Sequence, residues 1–164
     1  MRYLFFIAGM LTAAAVLLLV APERVPLAAA QAGWLAPDAS YEPVTIILKG
    51  TMLTFAGACR AISMEIIDAQ ALSIHNGLER TIDARPLTHD LIMDIFTAFG
   101  ITPEHVRLES YKNNIYYATL VARRDNRLVE FDVRPSDAAG IAVRGGLPVY
   151  ATKALLDEKG AATC

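Results

Sequence analysis

Three consecutive stretches of period two occupy the second half of the chain: "HVRLESY" (105–111), "IYYATLVARR" (115–124) and "RLVEFDV" (127–133). Alternating side chains on strand-length segments demand a sheet. The links Lys112-Asn113-Asn114 and Asp125-Asn126 are short enough only for tight reversals. The three are therefore expected as an antiparallel meander. Within 127–133, Val129, Phe131 and Val133 share one face, expected to be the core face, while Leu128, Glu130 and Asp132 share the other.

Around this meander the pattern is helical or mixed. "VTIILKG" and "AISMEII" read as strands separated by a loop at "TFAGACR", and "IIDAQALSIHNG" has helical spacing at Ile67, Ala71 and Ile74. "RPLTHDLIMDIFTAFG" predicts a helix capped by Thr88, with Leu91, Ile95 and Phe99 at i, i+4 and Gly100 as its stop. "SDAAGIAVRGG" predicts a helix capped by Ser136, "LPVY" a short strand and "TKALLDEKG" a last helix. The fold class expected is α+β: a single compact domain with a largely antiparallel sheet and helices on one face, preceded by an N-terminal hydrophobic helix.

That helix rests on residues 3–21, an uncharged apolar run about long enough to cross a hydrocarbon core of roughly 30 Å. Residues 1–30 read as a signal anchor, or alternatively as a signal peptide cleaved near Ala30; both place the rest of the chain outside the cytoplasm. Residues 31–42 read as a tether with Trp34 at the membrane interface, 43–158 as the domain and 159–164 as a flexible tail. Beyond residue 30 stand 13 basic and 16 acidic residues, a net charge of −3 that argues against a purely electrostatic nucleic-acid binder. Cys59 and Cys164 could pair outside the cytoplasm; with Cys164 on the last residue of a fraying tail, two separate thiols are the expectation.

Chemistry concentrates at two corners of like construction, "ARPLTHDL" (84–91) and "VRPSDA" (133–138). Proline holds the preceding arginine extended, so Arg85 and Arg134 project in defined directions. Asp90 and Asp137 follow at positive helix ends, where a carboxylate is stabilising by roughly 0.3–1 kcal/mol without any function. Were the two helix starts side by side, His89, Asp90, Asp132 and Asp137 would converge with both arginines. Such a set suits phosphodiester hydrolysis, with Mg²⁺ or Mn²⁺ on Asp132 and Asp137, phosphate on Arg85 and Arg134, and His89 as base or acid. His75 reads as a helix C-terminal cation, His105 as solvated surface, and Tyr111, Tyr116 and Tyr117 as cross-strand packing.

"RPLTHDL" together with "DVRPSDA" resembles the bifunctional nuclease domain family. "IDAQALSI" is similar to that family's "EAQAI" helix, and "GLPVY" and the intervening helix–strand–strand–strand order match as well. The resemblance covers roughly residues 43–158. It implies a compact α+β domain, a homodimer and nuclease activity on DNA and RNA, with His89, Asp90, Asp132, Arg134 and Asp137 as candidates because they fall inside the matching motifs. One departure is Ser63-Met64-Glu65, where the family carries an Ile-Trp-Ile-Gly-like strand end. The rival expectation is a non-catalytic dimeric binding or assembly module of the cell envelope, its Arg-Pro corners serving as salt-bridged supports.

Overall fold

The computed structural model describes residues 37–164; the expectations for residues 1–30 and most of the tether lie outside the described residues. The meander forms as expected, from β5 (Ile101–Lys112), β6 (Ile115–Arg124) and β7 (Arg127–Val133). Asn113, Asn114 and Asp125 take positive φ at the two reversals, a backbone region that Asn and Asp enter more readily than other side chains. Two further strands complete this sheet, β1 (Tyr41–Pro43) and β8 (Val149–Thr152), in the order β1-β8-β5-β6-β7. Among the described residues only the β5–β8 pairing is parallel.

The remaining strands build a second sheet, β2-β3-β4-β9, in place of the single sheet expected. It consists of β2 (Thr45–Lys49), β3 (Met52–Ala56), β4 (Arg60–Glu65) and β9 (Ala161–Ala162). β3 occupies part of the segment read as a loop: Leu53 and Phe55 alternate with half-buried Thr54 and are fully buried, giving a period that the mixed composition of the segment concealed. The expected tail is also corrected. Residues 161–162 pair with β4, and Cys164 bridges to Cys59 across 105 residues of chain. Pairing to β4 prevents the fraying on which the expectation of separate thiols rests.

Four helices among the described residues, α1 (Asp68–Leu78), α2 (Thr88–Ala98), α3 (Pro135–Gly145) and α4 (Lys153–Lys159), complete the fold. Leu53, Phe55, Ile62, Ile74, Val106, Leu108, Leu120 and Leu156 form one continuous core between sheets and helices. α2 turns its Phe96 inward to stack on Phe131 at 6.1 Å, so the stripe Leu91, Ile95, Phe99 faces solvent at 43–62% exposure. His105 is corrected too: it lies buried in β5, edge-on to Tyr150 at 5.8 Å. Tyr111 and Tyr116 pack across β5 and β6 as expected. Among the described residues no helix is long and apolar enough to cross a membrane.

The bridge closes a loop of about a hundred residues, for which chain entropy predicts stabilisation of roughly 2–5 kcal/mol. Cys59→Ser is expected to lower the urea midpoint accordingly, and dithiothreitol should lower it in the wild type while leaving the variant unchanged.

Candidate functional site

α1, α2 and α3 meet where both Arg-Pro corners open into helices. Pro135 is the first residue of α3, and Arg134 takes the N-cap position with extended backbone. Ser136, expected as the cap, is buried and accepts a hydrogen bond from Gln70 Nε2 at 3.1 Å instead. At the other corner Leu87 is the N-cap and Thr88 already helical; Asp90 Oδ2 accepts from the Leu87 backbone N–H at 2.8 Å. The helix starts one residue earlier than the hydroxyl-cap reading at the first corner and two residues earlier at the second, where Pro135 at the first helical position supplies a preset φ.

His89 is buried at 5% exposure against Gly140 of α3. A Cβ on Gly140 would lie 2.6 Å from the imidazole, so only glycine admits the ring there. Nδ1 is 2.7 Å from Ser73 Oγ of α1, and Nε2 is 3.6 Å from Asp137 Oδ1. A carboxylate is met favourably only by an N–H, so Nε2 carries the proton and the Ser73 hydroxyl donates to Nδ1. Asp137 also accepts two hydrogen bonds from Arg134, Nε to Oδ2 at 2.7 Å and Nη2 to Oδ1 at 3.0 Å. Arg134 is 71% exposed along its side chain. These groups, with Gln70, Ser73 and Thr88, line a cavity of about 220 Å³.

Asp90 is engaged differently. The buried guanidinium of Arg144 donates from Nε to Asp90 Oδ1 at 2.5 Å, and from Nη1 to the carbonyls of Ser73 at 2.8 Å and Gly140 at 3.2 Å. The hydrogen bond from Arg144 holds the Asp90 carboxyl below the usual carboxylate range. Arg85 stands exposed in the loop before α2. Asp132 pairs with Thr119 on the face of β7 opposite Phe131, away from the ring of Phe96. The structure thus gathers His89, Asp137 and Arg134 at one opening, with Asp90 behind them, and no hydrogen bond or ion pair joins Asp132 or Arg85 to them among the described residues. Also among the described residues, no three His, Cys, Asp or Glu side chains are arranged to hold a metal ion.

Four contributors escaped the sequence reading: Gln70, Ser73, Gly140 and Arg144. A signal existed for the first two, since Gln70, Ser73 and Gly77 recur at i, i+3 and i+7 on one helix face. Gly140 in the middle of an alanine-rich helix was another, being about 1 kcal/mol costlier there than alanine unless something needs the space.

Burial first, and then the Arg144 charge, hold the His89 imidazole below the 6.5 of an ordinary histidine, against the pull of Asp137. Burial and the Arg107 charge act likewise on His105. Both rings are neutral at pH 7. Because the unfolded chain takes up these protons first, stability falls as pH drops below about 6.5 towards the folded-state values. Asp90 adds a loss only in more acid solution, below about 3.8. Urea midpoints should therefore decline between pH 7.5 and 5, and His89→Asn and His105→Asn should each flatten that decline; an unchanged slope in both would contradict the assignment.

A family model described as the bifunctional nuclease domain matches residues 52–163. An uncharacterized protein of Mycobacterium tuberculosis is 33% identical over 109 residues, covering 66% of this chain and 65% of that protein, just under two thirds of its length. Bifunctional nucleases 2 and 1 of Arabidopsis thaliana are 32% and 31% identical over 80 residues, 47% of this chain and 24% and 25% of theirs.

Proposed function

The chain belongs to the bifunctional nuclease domain family, and from that premise we propose that it hydrolyses phosphodiester bonds of DNA or RNA at the Arg134–Asp137–His89 opening. One observation carries the reading: a carboxylate, an exposed arginine and a buried neutral histidine share a single cavity. Arg134 uses two of its five N–H donors on Asp137 and keeps the other three for phosphate oxygens. Asp137 takes a proton from the attacking water as its oxygen bonds phosphorus; the ester P–O bond breaks and the leaving oxygen is protonated from solvent. The His89 Nε2–H faces Asp137 at 3.6 Å and favours its ionised form. Asp90 supports α2 from behind. A divalent cation is the ordinary aid to this chemistry: Mg²⁺ or Mn²⁺ held by Asp137 together with substrate phosphate oxygens would polarise the phosphoryl group, while the protein groups keep the roles given above.

Localisation outside the cytoplasm is supported by the apolar run 3–21 and by a disulfide that an oxidising compartment would preserve. On this reading the chain is held at the membrane or released after cleavage near Ala30. The second reading, a non-catalytic envelope module, is favoured by the engagement of Asp137 and Asp90 with arginines. Against it, an exposed pair such as Arg134–Asp137 contributes at most about 1 kcal/mol, too little for a structural support.

Asp137→Asn is expected to reduce cleavage of DNA or RNA by the full chain in detergent by about a hundredfold or more. Arg134→Ala should lose activity while melting within about two degrees of the wild type; a loss of several degrees with activity retained would favour the supporting role. Asp132→Asn, across the sheet, should cut normally.

A homodimer fits the solvent-facing stripe Leu91, Ile95, Phe99, an apolar row along α2 that a second copy would cover. Sedimentation should then give twice the chain mass, and Phe99→Glu should shift it to monomer.

A further inference from the structure

A second, larger cavity of about 540 Å³ opens on the same helix pair. Along α1, Gln70 and Ser73 face the small cavity, whereas Asn76 and Gly77 face the large one. Along α2 the change falls between His89 and Asp90. Three to four helical residues separate the two sets, about 5 Å, or between one and two nucleotide rises of about 3.4 Å each. The buried Arg144–Asp90 pair lines the large cavity, and His89, next to Asp90, lines the small one.

The apolar part of the wall comes from separate elements: Ile82 and Pro86 from the loop before α2, Met93 from α2 and Val143 from α3. Ile82 stands 71% exposed at the rim, where a flat ring entering the cavity would cover it. Polar groups sit at the edge: the Asp94 carboxylate accepts, the Arg80 guanidinium donates, and the Asn76 amide does both. Neither Asp94 nor Arg80 forms an ion pair with another described residue. Apolar faces with acceptor and donor groups at the margin are what a nucleobase requires, and the volume suits a nucleoside. With a net charge of −3 beyond residue 30, phosphate contacts alone cannot supply the affinity for a polyanion.

Building on the nuclease reading, we propose that this cavity is a base-binding subsite for the nucleotide next to the phosphate held at Arg134, which makes the substrate single-stranded nucleic acid. A base in a duplex is stacked and paired and cannot enter. Asp94 faces the ring's N–H groups and so favours bases that present them, Arg80 meets ring acceptors or the neighbouring phosphate, and Ile82 and Met93 provide the contact surface.

The test uses the full chain in detergent with the four ribonucleoside 5′-monophosphates as probes, followed by saturation-transfer NMR. Binding should be saturable, unequal among the four bases, and weakened about tenfold by Asp94→Asn or Ile82→Ser, with little effect of Asp137→Asn. Both variants alter exposed side chains, so folding is retained. Arg80 has a φ of 55°, so its charge is removed with Arg80→Asn, a residue that tolerates that backbone. On short single strands, Asp94→Asn and Ile82→Ser should raise KM about tenfold with kcat within about twofold, and duplex of the same sequence should be cut more slowly. Monophosphate binding that depends on Asp94 and Ile82 supports the subsite even in a chain that cuts nothing, which would count against the Asp137 reading alone. Cleavage with unchanged KM and base preference in both variants overturns the subsite and leaves the Asp137 reading standing, as does monophosphate binding indifferent to both.

Discussion

One guanidinium holds the helical layer together. Arg144 of α3 donates to the Asp90 carboxylate of α2, to the Ser73 carbonyl of α1 and to the Gly140 carbonyl of its own helix. The charge pair is buried, so its formation involves desolvation that a mixed hydrogen-bond set must offset. Removing either partner would strand the other without water, at a cost of several kcal/mol. These bonds pin three helices at one level, close enough for His89 to lie on Gly140 and reach Ser73. The Arg144 charge then helps keep that histidine neutral.

The two Arg-Pro corners are alike in sequence and unlike in use. At the first, the aspartate turns inward to Arg144, while the corner's own Arg85 remains exposed in the loop. At the second, Arg134 folds back on Asp137 within the same turn, leaving both at the mouth of a cavity. Solvent separates these roles. A buried, fully bonded carboxylate has no capacity left for a ligand, whereas a half-exposed one beside a guanidinium with spare donors has.

In the second sheet, β9 lies on β4 and the Cys59–Cys164 bridge locks it there. The chain end thereby becomes part of the second sheet, whose Leu53, Phe55 and Ile62 share the core with α4 and with the meander. Stability of the layer that carries the opening is accordingly coupled, through the shared core, to a covalent link outside that layer.

The meander, its two reversals, all four helices and the placement of both corners at helix starts were legible in the residues, because each depends on local periodicity and on the φ that proline, asparagine and aspartate permit. The family was legible from "RPLTHDL" and "DVRPSDA" for the same reason, since short motifs are local. Facing directions were not. Leu91, Ile95 and Phe99 mark a helix, yet which side of it meets the sheet is decided by Phe96 fitting Phe131. Asp132 and Asp137 are five residues apart, but the pleat of β7 turns one away while α3 turns the other towards His89. Ser73, Gly140 and Arg144 matter to the site through partners 16 to 71 positions distant. Sequence by itself determined the meander, the four helices and where their charges sit along the chain; tertiary packing alone decided the pairing of β3 and β9 and which charges meet, because burial and contact are properties of the assembled core.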